Sequence, residues 1–328
     1  MLRPLLSATL PLIALPATAR AQRPGESPGT LISAEPVSGG PDAMRSWRIA
    51  YWTSDAHGRA IRVTGMIVAP RDHAPSPAPR RVIAWTHGTW GVVEKCAPSL
   101  SPDFWQATPA LAEMIARGYL VVAPDYPGLG SPMAHPYLIG IDTARAVLDA
   151  VRAARSLREA RAGADFAVWG ESQGGHAALW TAAQAARYAP ELRLLGTAAA
   201  APPTDLAANL RSGSDANVRA MLAAYAAYSW SQHFGHPLSS LFNKTNAGVA
   251  TRLARNNCIE LGKKPRLGTI LGIAAIRGAL RSKDMADTPP WAGIARANSV
   301  VPGAVSGPLL IVQGTADTVV APAVTLAF

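Results

Sequence analysis

Short β-branched apolar runs alternate along this chain with stretches of helical spacing. Trp47–Trp52 and Ile61–Val68 read as an opening hairpin, joined by the turn-forming run Ser54-Asp55-Ala56-His57-Gly58. Strands are then expected at Val82–Trp85, Leu120–Ala123, Phe166–Trp169 and Leu194–Ala198, with helices at Pro109–Ala116, Thr143–Leu157 and Ser172–Tyr188 between them. That order predicts an α/β fold, a mostly parallel sheet with helices on both faces. Between Pro203 and Pro302 the strands cease and the sequence turns Ala-rich and helical, which reads as an insertion. Within it Val218, Met221, Leu222 and Tyr225 recur at helical spacing. Ala223, Ala224 and Ala227 keep the opposite face nearly apolar, so this helix should be covered on two sides, as a lid would cover it. The core resumes with Leu309–Val312, expected to be a buried strand. The chain therefore divides into a first core part at 46–203, a helical cap at 204–303 and a second core part at 304–328. The last of these reads as incomplete, stopping inside a helix near Pro322–Phe328.

The first 45 residues follow another logic. Arg3, an apolar stretch from Leu5 to Ala17 and the small-x-small run Ala19-Arg20-Ala21 have the form of a signal peptide, residues 1–21, cleaved after Ala21. Pro11, Pro16 and the short apolar run argue against a stable membrane span, and the ten residues Leu267–Ile276 are also too few to cross a bilayer. Residues 22–45, rich in Gly, Pro and Ser, read as a loose arm. An exported protein is expected, extracellular or periplasmic.

Composition narrows the function classes. With 49% hydrophobic and 16% charged residues among 328, the chain is not of the disordered class. Its net charge of +10, or +8 without the leader (29 minus 21), invites a nucleic-acid reading. The distribution opposes it: only five of the cations are Lys, and arginines such as Arg145, Arg152, Arg155, Arg158 and Arg161 are spread along helices rather than gathered beside stacking aromatics. Neither CxxC spacing nor an HxxxH pair is present, so no metal or cofactor is expected. The two cysteines, Cys96 and Cys258, would be oxidised in an exported chain, anchoring the insertion beside the loop after Val82–Trp85; two free thiols are the alternative.

The strongest chemical signal is Gly170-Glu171-Ser172-Gln173-Gly174, placed between a strand and a helix. In a GxSxG elbow the serine sits on a strained turn, and the flanking glycines let strand and helix backbones pass. Ser172 is the candidate nucleophile; a tight turn with a helix-capping serine is the alternative. An oxyanion needs two preorganised N–H donors. The amide of Gln173 at the helix start supplies one, and Thr89 in His87-Gly88-Thr89-Trp90-Gly91 is the candidate for the other. Asp317, in the loop Gly314-Thr315-Ala316-Asp317 after the last strand, is the candidate acid, with Asp205 as runner-up; Asp125 reads as a loop anchor. In this chemistry the order is Ser, acid, His, yet only 11 residues (328 minus 317) follow Asp317 and none is His. Of His57, His73, His87, His135, His176, His233 and His236, none is well placed by order. His176 reads as packing and His87 as holding its loop by a hydrogen bond.

WTHGTWGVVEKCAPS, GYLVVAPDYPGLG, HPYL, GESQGGHA and GTADTVV, in this order from about Ser46 onward, resemble the secretory lipase family, relatives of Candida antarctica lipase A. The resemblance implies an α/β-hydrolase core with a helical cap and action on acyl esters. By motif it implies Ser172 as nucleophile, Asp317 as acid and a Cys96–Cys258 disulfide, while the family's histidine has no counterpart here. The expected function is an exported serine carboxylic ester hydrolase, a lipase or esterase acting on ester or lipid substrates at a lipid–water interface. Trp90, Tyr126, Tyr225 and Trp230 are candidates for its pocket. The alternative is a noncatalytic hydrolase-like protein that binds a hydrophobic ligand or a partner.

Overall fold

A computed structural model describes residues 25–71, 78–260 and 262–328. The leader reading at 1–21 and His73 lie outside the described residues. Strands β1 (Leu31–Pro36), β2 (Met44–Ser54), β3 (Ala60–Pro70), β4 (Arg80–Thr86), β5 (Leu120–Pro124), β6 (Ala162–Glu171), β7 (Arg193–Ala200) and β8 (Leu309–Val312) form one sheet. Its order is β1-β2-β3-β5-β4-β6-β7-β8. The β1/β2, β2/β3 and β3/β5 pairs are antiparallel, and every pair from β5/β4 to β7/β8 is parallel.

Side-chain alternation sorts each strand between two layers. From β5, Leu120 and Val122 join the core formed with helices α3 (Gly140–Ser156) and α4 (Gln173–Tyr188), which holds Val147, Val151 and Ala178. Val121 and Ala123 point the other way, into a cluster with Trp85 and with Phe104 and Leu111 of helices α1 (Phe104–Ala107) and α2 (Leu111–Ala116). The result is a sheet between helical layers, the α/β-hydrolase arrangement. Between β7 and β8 lie helices α5 (Leu206–Ser212), α6 (Ala216–Phe234), α7 (Lys244–Asn256), α8 (Leu267–Ser282) and α9 (Trp291–Ala297); α10 (Pro322–Ala327) follows β8. α6 is the axis of this insertion. Its Ala220, Ala223, Ala224, Tyr225, Ala227 and Trp230 are buried in a separate core shared with α7, α8 and α9.

Two expectations need correction. Residues 22–45 are not all a loose arm: β1 pairs with β2 from Leu31 to Pro36, and β2 already begins at Met44. Backbone pairing to the edge of the hairpin overrides a local composition of Gly, Pro and Ser. β8, in turn, is not buried. Leu309, Leu310 and Val312 are 40%, 59% and 53% exposed, because β8 is an edge strand paired only to β7 among the described residues.

Cys96 and Cys258 form a disulfide across 162 positions, joining the turn after the β4 loop to the segment between α7 and α8. Ile259 N–H donates to the carbonyl of Trp90 beside it at 2.8 Å. A cross-link closing so long a loop restricts the unfolded chain by about 5 kcal/mol in the chain-entropy account. The Cys96→Ser/Cys258→Ser double variant should therefore lose about 2–5 kcal/mol in denaturant unfolding. Hydrogen exchange should rise first in α7 and α8, and an unchanged exchange pattern there would count against a clamping role.

Candidate active site

The sheet order reverses at β4, which lies between β5 and β6 although it precedes both in the chain. Such a switch point leaves a crevice at the carboxyl ends of the strands. The β4 exit loop, His87-Gly88-Thr89, and the β6 exit, Ser172, both open onto it.

Ser172 has φ 53° and ψ −120°, outside the comfortable regions for an L-residue. It is held there from two sides: its N–H donates to Ala200 O of β7 at 2.9 Å, and its carbonyl accepts from His176 N–H at 3.1 Å to begin α4. Strain of this kind costs about 1–3 kcal/mol and persists only where surrounding structure enforces it. The side chain does not cap α4, so the capping alternative fails. Ser172 is half-buried and lines a cavity with Tyr137, Leu206, Leu222, Trp230 and Val320. The glycines of the elbow are there for want of room: a Cβ on Gly170 would lie 2.1 Å from the carbonyl oxygen of Thr86, and one on Gly174 1.9 Å from the same oxygen. Thr86 pairs with Gly170 across β4/β6. Its hydroxyl contacts Gly174 O at 2.8 Å and Trp169 O at 2.9 Å, tying the elbow to the strand that carries the putting-in-place loop of Thr89.

Gln173 is buried at the first position of α4, where backbone N–H groups lack intrahelical acceptors and the helix dipole favours negative charge. Its side chain is oriented by His135. Burial holds the His135 imidazole neutral, with a pKa pushed down to about 3, and its Nδ1 lies 2.7 Å from the carbonyl of Pro127. Nδ1 must therefore carry the proton, which leaves Nε2 to accept from the Gln173 amide nitrogen at 3.3 Å. Thr89 Oγ1 lies 2.8 Å from the Tyr137 hydroxyl, so the other candidate oxyanion residue is fastened to a wall of the same cavity. Glu171, beside Ser172, is half-buried, and desolvation raises its carboxyl above the usual carboxylate range.

Asp317 lies in the β8 exit loop. Its Oδ1 accepts from Val319 N–H at 2.8 Å and Val320 N–H at 3.0 Å, and its Oδ2 accepts from Gln313 Nε2 at 3.1 Å. Val319 and Val320 line the Ser172 cavity, so the loop of the candidate acid forms part of the wall. Asp205 is instead an exposed cap of α5, accepting from Ala208 N–H at 2.9 Å. Asp125 is buried and accepts from Ser99 N–H, Ser99 Oγ and Thr64 Oγ1, which makes it an anchor between β3, β5 and the segment after Cys96.

Besides His135, the side chains of His87, His176 and His233 are engaged elsewhere. His87 is stacked on Tyr126, with Nδ1 2.6 Å from Gly88 O and Nε2 3.1 Å from Asp125 O. His176 Nε2 donates to Asn298 O at 2.7 Å. His233 Nε2 faces Asp142 Oδ2 at 3.4 Å, linking α6 to the start of α3. Burial pushes His87 and His176 down to about 4. With His135, these are three groups whose folded pKa lies below the unfolded value of about 6.5. The unfolded chain therefore binds more protons, and stability falls as pH drops from about 6.5 toward about 4. Buried Asp125, Asp142 and Asp149 and half-buried Glu171, raised by desolvation, oppose this trend, so the rings are best read singly. Ring NMR signals of His87, His135 and His176 should remain those of neutral imidazole in the folded protein at about pH 5, and protonation of these rings near pH 6.5 would contradict their burial.

Of the four aromatics expected at the pocket, only Trp230 lines it. Tyr126 and Tyr225 are fully buried in the core and the cap, and the Trp90 carbonyl serves the strap beside the disulfide. Tyr137 and Arg219 were not singled out by sequence reasoning. Tyr137 stands in the HPYL run, whose signal was present; Arg219 sits on α6 with nothing in its local pattern to mark it.

A model of the family described as secretory lipase matches residues 106–259. Lipase 9 of Candida albicans is 28% identical over 66% of this chain and 49% of its own length. A probable inactive lipase of Mycobacterium tuberculosis is 26% identical over 56% of this chain and 44% of its own. The chain thus spans about half or less of the curated relatives it matches. Among solved structures, the rice cell wall degrading esterase LipA of Xanthomonas oryzae superposes with a TM-score of 0.74 at 22% identity, over 92% of this chain and 86% of that one. Candida antarctica lipase A in its closed state gives 0.69 at 18%, over 91% and 72%. These two likenesses concern the fold. Over residues 106–259 the chain is thus similar to secretory lipases, and its sheet, strained serine elbow and helical insertion between β7 and β8 have the α/β-hydrolase fold of those solved structures.

Proposed function

We propose that this chain is an exported serine carboxylic ester hydrolase, a lipase or esterase. The observation that carries the reading is Ser172 itself: a hydroxyl on a strained turn, not spent on capping its helix, facing an apolar cavity at the sheet's switch point. Ser172 Oγ attacks the ester carbonyl. The oxyanion is met by the backbone amides of Gln173 and Thr89, and collapse expels the alcohol, which takes a proton, to leave an acyl-enzyme that water hydrolyses. Asp317 is the acid that would orient a base taking the Ser172 hydroxyl proton and passing it to the departing alcohol. The apolar wall of Leu206, Leu222 and Trp230 favours acyl chains. Export is supported by the leader-like residues 1–21, the oxidised cysteine pair and the similarity to secretory lipases. Hydrolysis of p-nitrophenyl esters of increasing chain length tests the reading. Activity that rises with acyl length and is lost in Ser172→Ala is expected; equal turnover in that variant would refute it.

A second reading, a noncatalytic protein that binds hydrophobic ligands, is favoured by one observation. No described histidine side chain is hydrogen-bonded to Ser172 or Asp317; one relative also carries the description of a probable inactive lipase. Added imidazole separates the two: as a diffusible base it should speed acylation of Ser172 in the 328-residue chain if the serine is a nucleophile, and do nothing if it is not.

A further inference from the structure

The cavity at Ser172 does not end in an apolar wall. It shares Leu210 and Arg219 with a second cavity in the insertion, lined also by Arg277, Arg281 and Asp284. Three guanidinium groups thus face one space with a single carboxylate. That carboxylate is partly engaged, since Asp284 Oδ1 accepts from Ala286 N–H at 2.8 Å. The arginines have neutral partners only: Arg219 donates through one nitrogen to the carbonyls of Arg211 and Gly213, and Arg277 donates to Asn217 Oδ1 at 3.1 Å. No ion pair involves any of the three among the described residues, whereas nearby Arg211 is paired with Asp287. Arg219 and Arg277 are only half-exposed, so their unpaired donors are held where water competes less well. A guanidinium fork suits a carboxylate or phosphate.

We propose that the substrates are esters carrying a second, anionic group, bound with the ester at Ser172 and the anion against Arg219, Arg277 and Arg281. The shared chemistry is a carboxylate or phosphate joined to the ester by an apolar chain that passes Leu210. This rests on the hydrolase reading, so its test measures binding apart from turnover.

In Ser172→Ala protein, calorimetry would compare monomethyl dicarboxylates of increasing length with the matching dimethyl diesters, and ω-phosphooxy methyl carboxylates of increasing length with their neutral dimethyl phosphate triesters. Beyond a threshold length the anionic member of each pair should bind about tenfold tighter or more, and the advantage should shrink at high salt. A preference confined to the carboxylate pair, or to the phosphate pair, names the anion. Arg281→Glu, at an exposed position, should lower the ratio of half-ester to diester affinity by about tenfold, and Arg281→Lys should preserve it. Equal affinities at every length, or a preference untouched by Arg281→Glu together with Arg277→Gln, would overturn the subsite. Turnover of neutral p-nitrophenyl esters by the unsubstituted chain reads the hydrolase assignment separately. Turnover without anion preference defeats only the subsite; anion preference without turnover, even with imidazole, defeats the substrate assignment.

Discussion

Gly174→Ala should prevent the elbow from forming. The added methyl would lie 1.9 Å from Thr86 O, 2.6 Å from the carbonyl carbon of the same residue and 2.8 Å from His87 O, all of them backbone atoms of β4 and its exit. None can swing aside as a side chain would. Relief requires pulling α4 away from β4, which would break the Thr86 contact with Gly174 O and disturb the registry of Thr86 with Gly170. Overpacking of a rigid site costs about 1–3 kcal/mol and more where backbone must move, so a loss of about 4 kcal/mol or an insoluble protein is expected. Gly175→Ala is the internal comparison. Its nearest atoms are Ala200 O at 2.9 Å and Pro202 Cβ at 3.1 Å, and a smaller loss should follow. Thermal melts of the two variants check the ranking; equal stability would mean the elbow is looser than these approaches imply.

Substitutions at Ser172 should separate activity from stability. Ser172→Ala and Ser172→Gly both remove the hydroxyl and should bring ester hydrolysis to the background of the oxyanion amides and binding, a loss of about a thousandfold or more where a base is supplied. Their stabilities should differ. At φ 53° and ψ −120° a Cβ is unfavourable, and glycine adopts that backbone freely, so Ser172→Gly should gain about 1 kcal/mol over Ser172→Ala. A serine kept at a strained position at the expense of stability is expected when the strain serves function. If Ser172→Gly were no more stable than Ser172→Ala, the turn would not be holding the side chain against its preference.

What the sequence made legible follows from periodicity and from local turn chemistry. The helix expected from Ser172 to Tyr188 is α4, and the hairpin turn at Ser54–Gly58 closes as expected, with Asp55 Oδ1 accepting from His57 N–H and Arg59 N–H. GESQG could be read because its glycines answer a short-range steric demand between adjacent elements. β1 could not. Leu31–Pro36 contains Ser, Glu and Pro and becomes a strand through its partner β2, a tertiary cause invisible to a local pattern. The pocket was legible only in part for the same reason: Tyr126, Tyr225 and Trp230 are alike in type, but the packing of α6 against the core decides which one faces Ser172. Arg219 resembles any helix-surface arginine until α5 and α6 are seen to share a cavity with the nucleophile.

Labelling with a fluorophosphonate, in the presence and absence of imidazole, followed by peptide mass spectrometry, reads the serine's chemistry directly. A single phosphonyl adduct on the peptide containing Ser172, formed faster with imidazole and lost in Ser172→Gly, is the predicted result. No adduct with imidazole present, or an adduct on another serine with Ser172 unmodified, would contradict the assignment of this hydroxyl as the group that accepts the acyl chain.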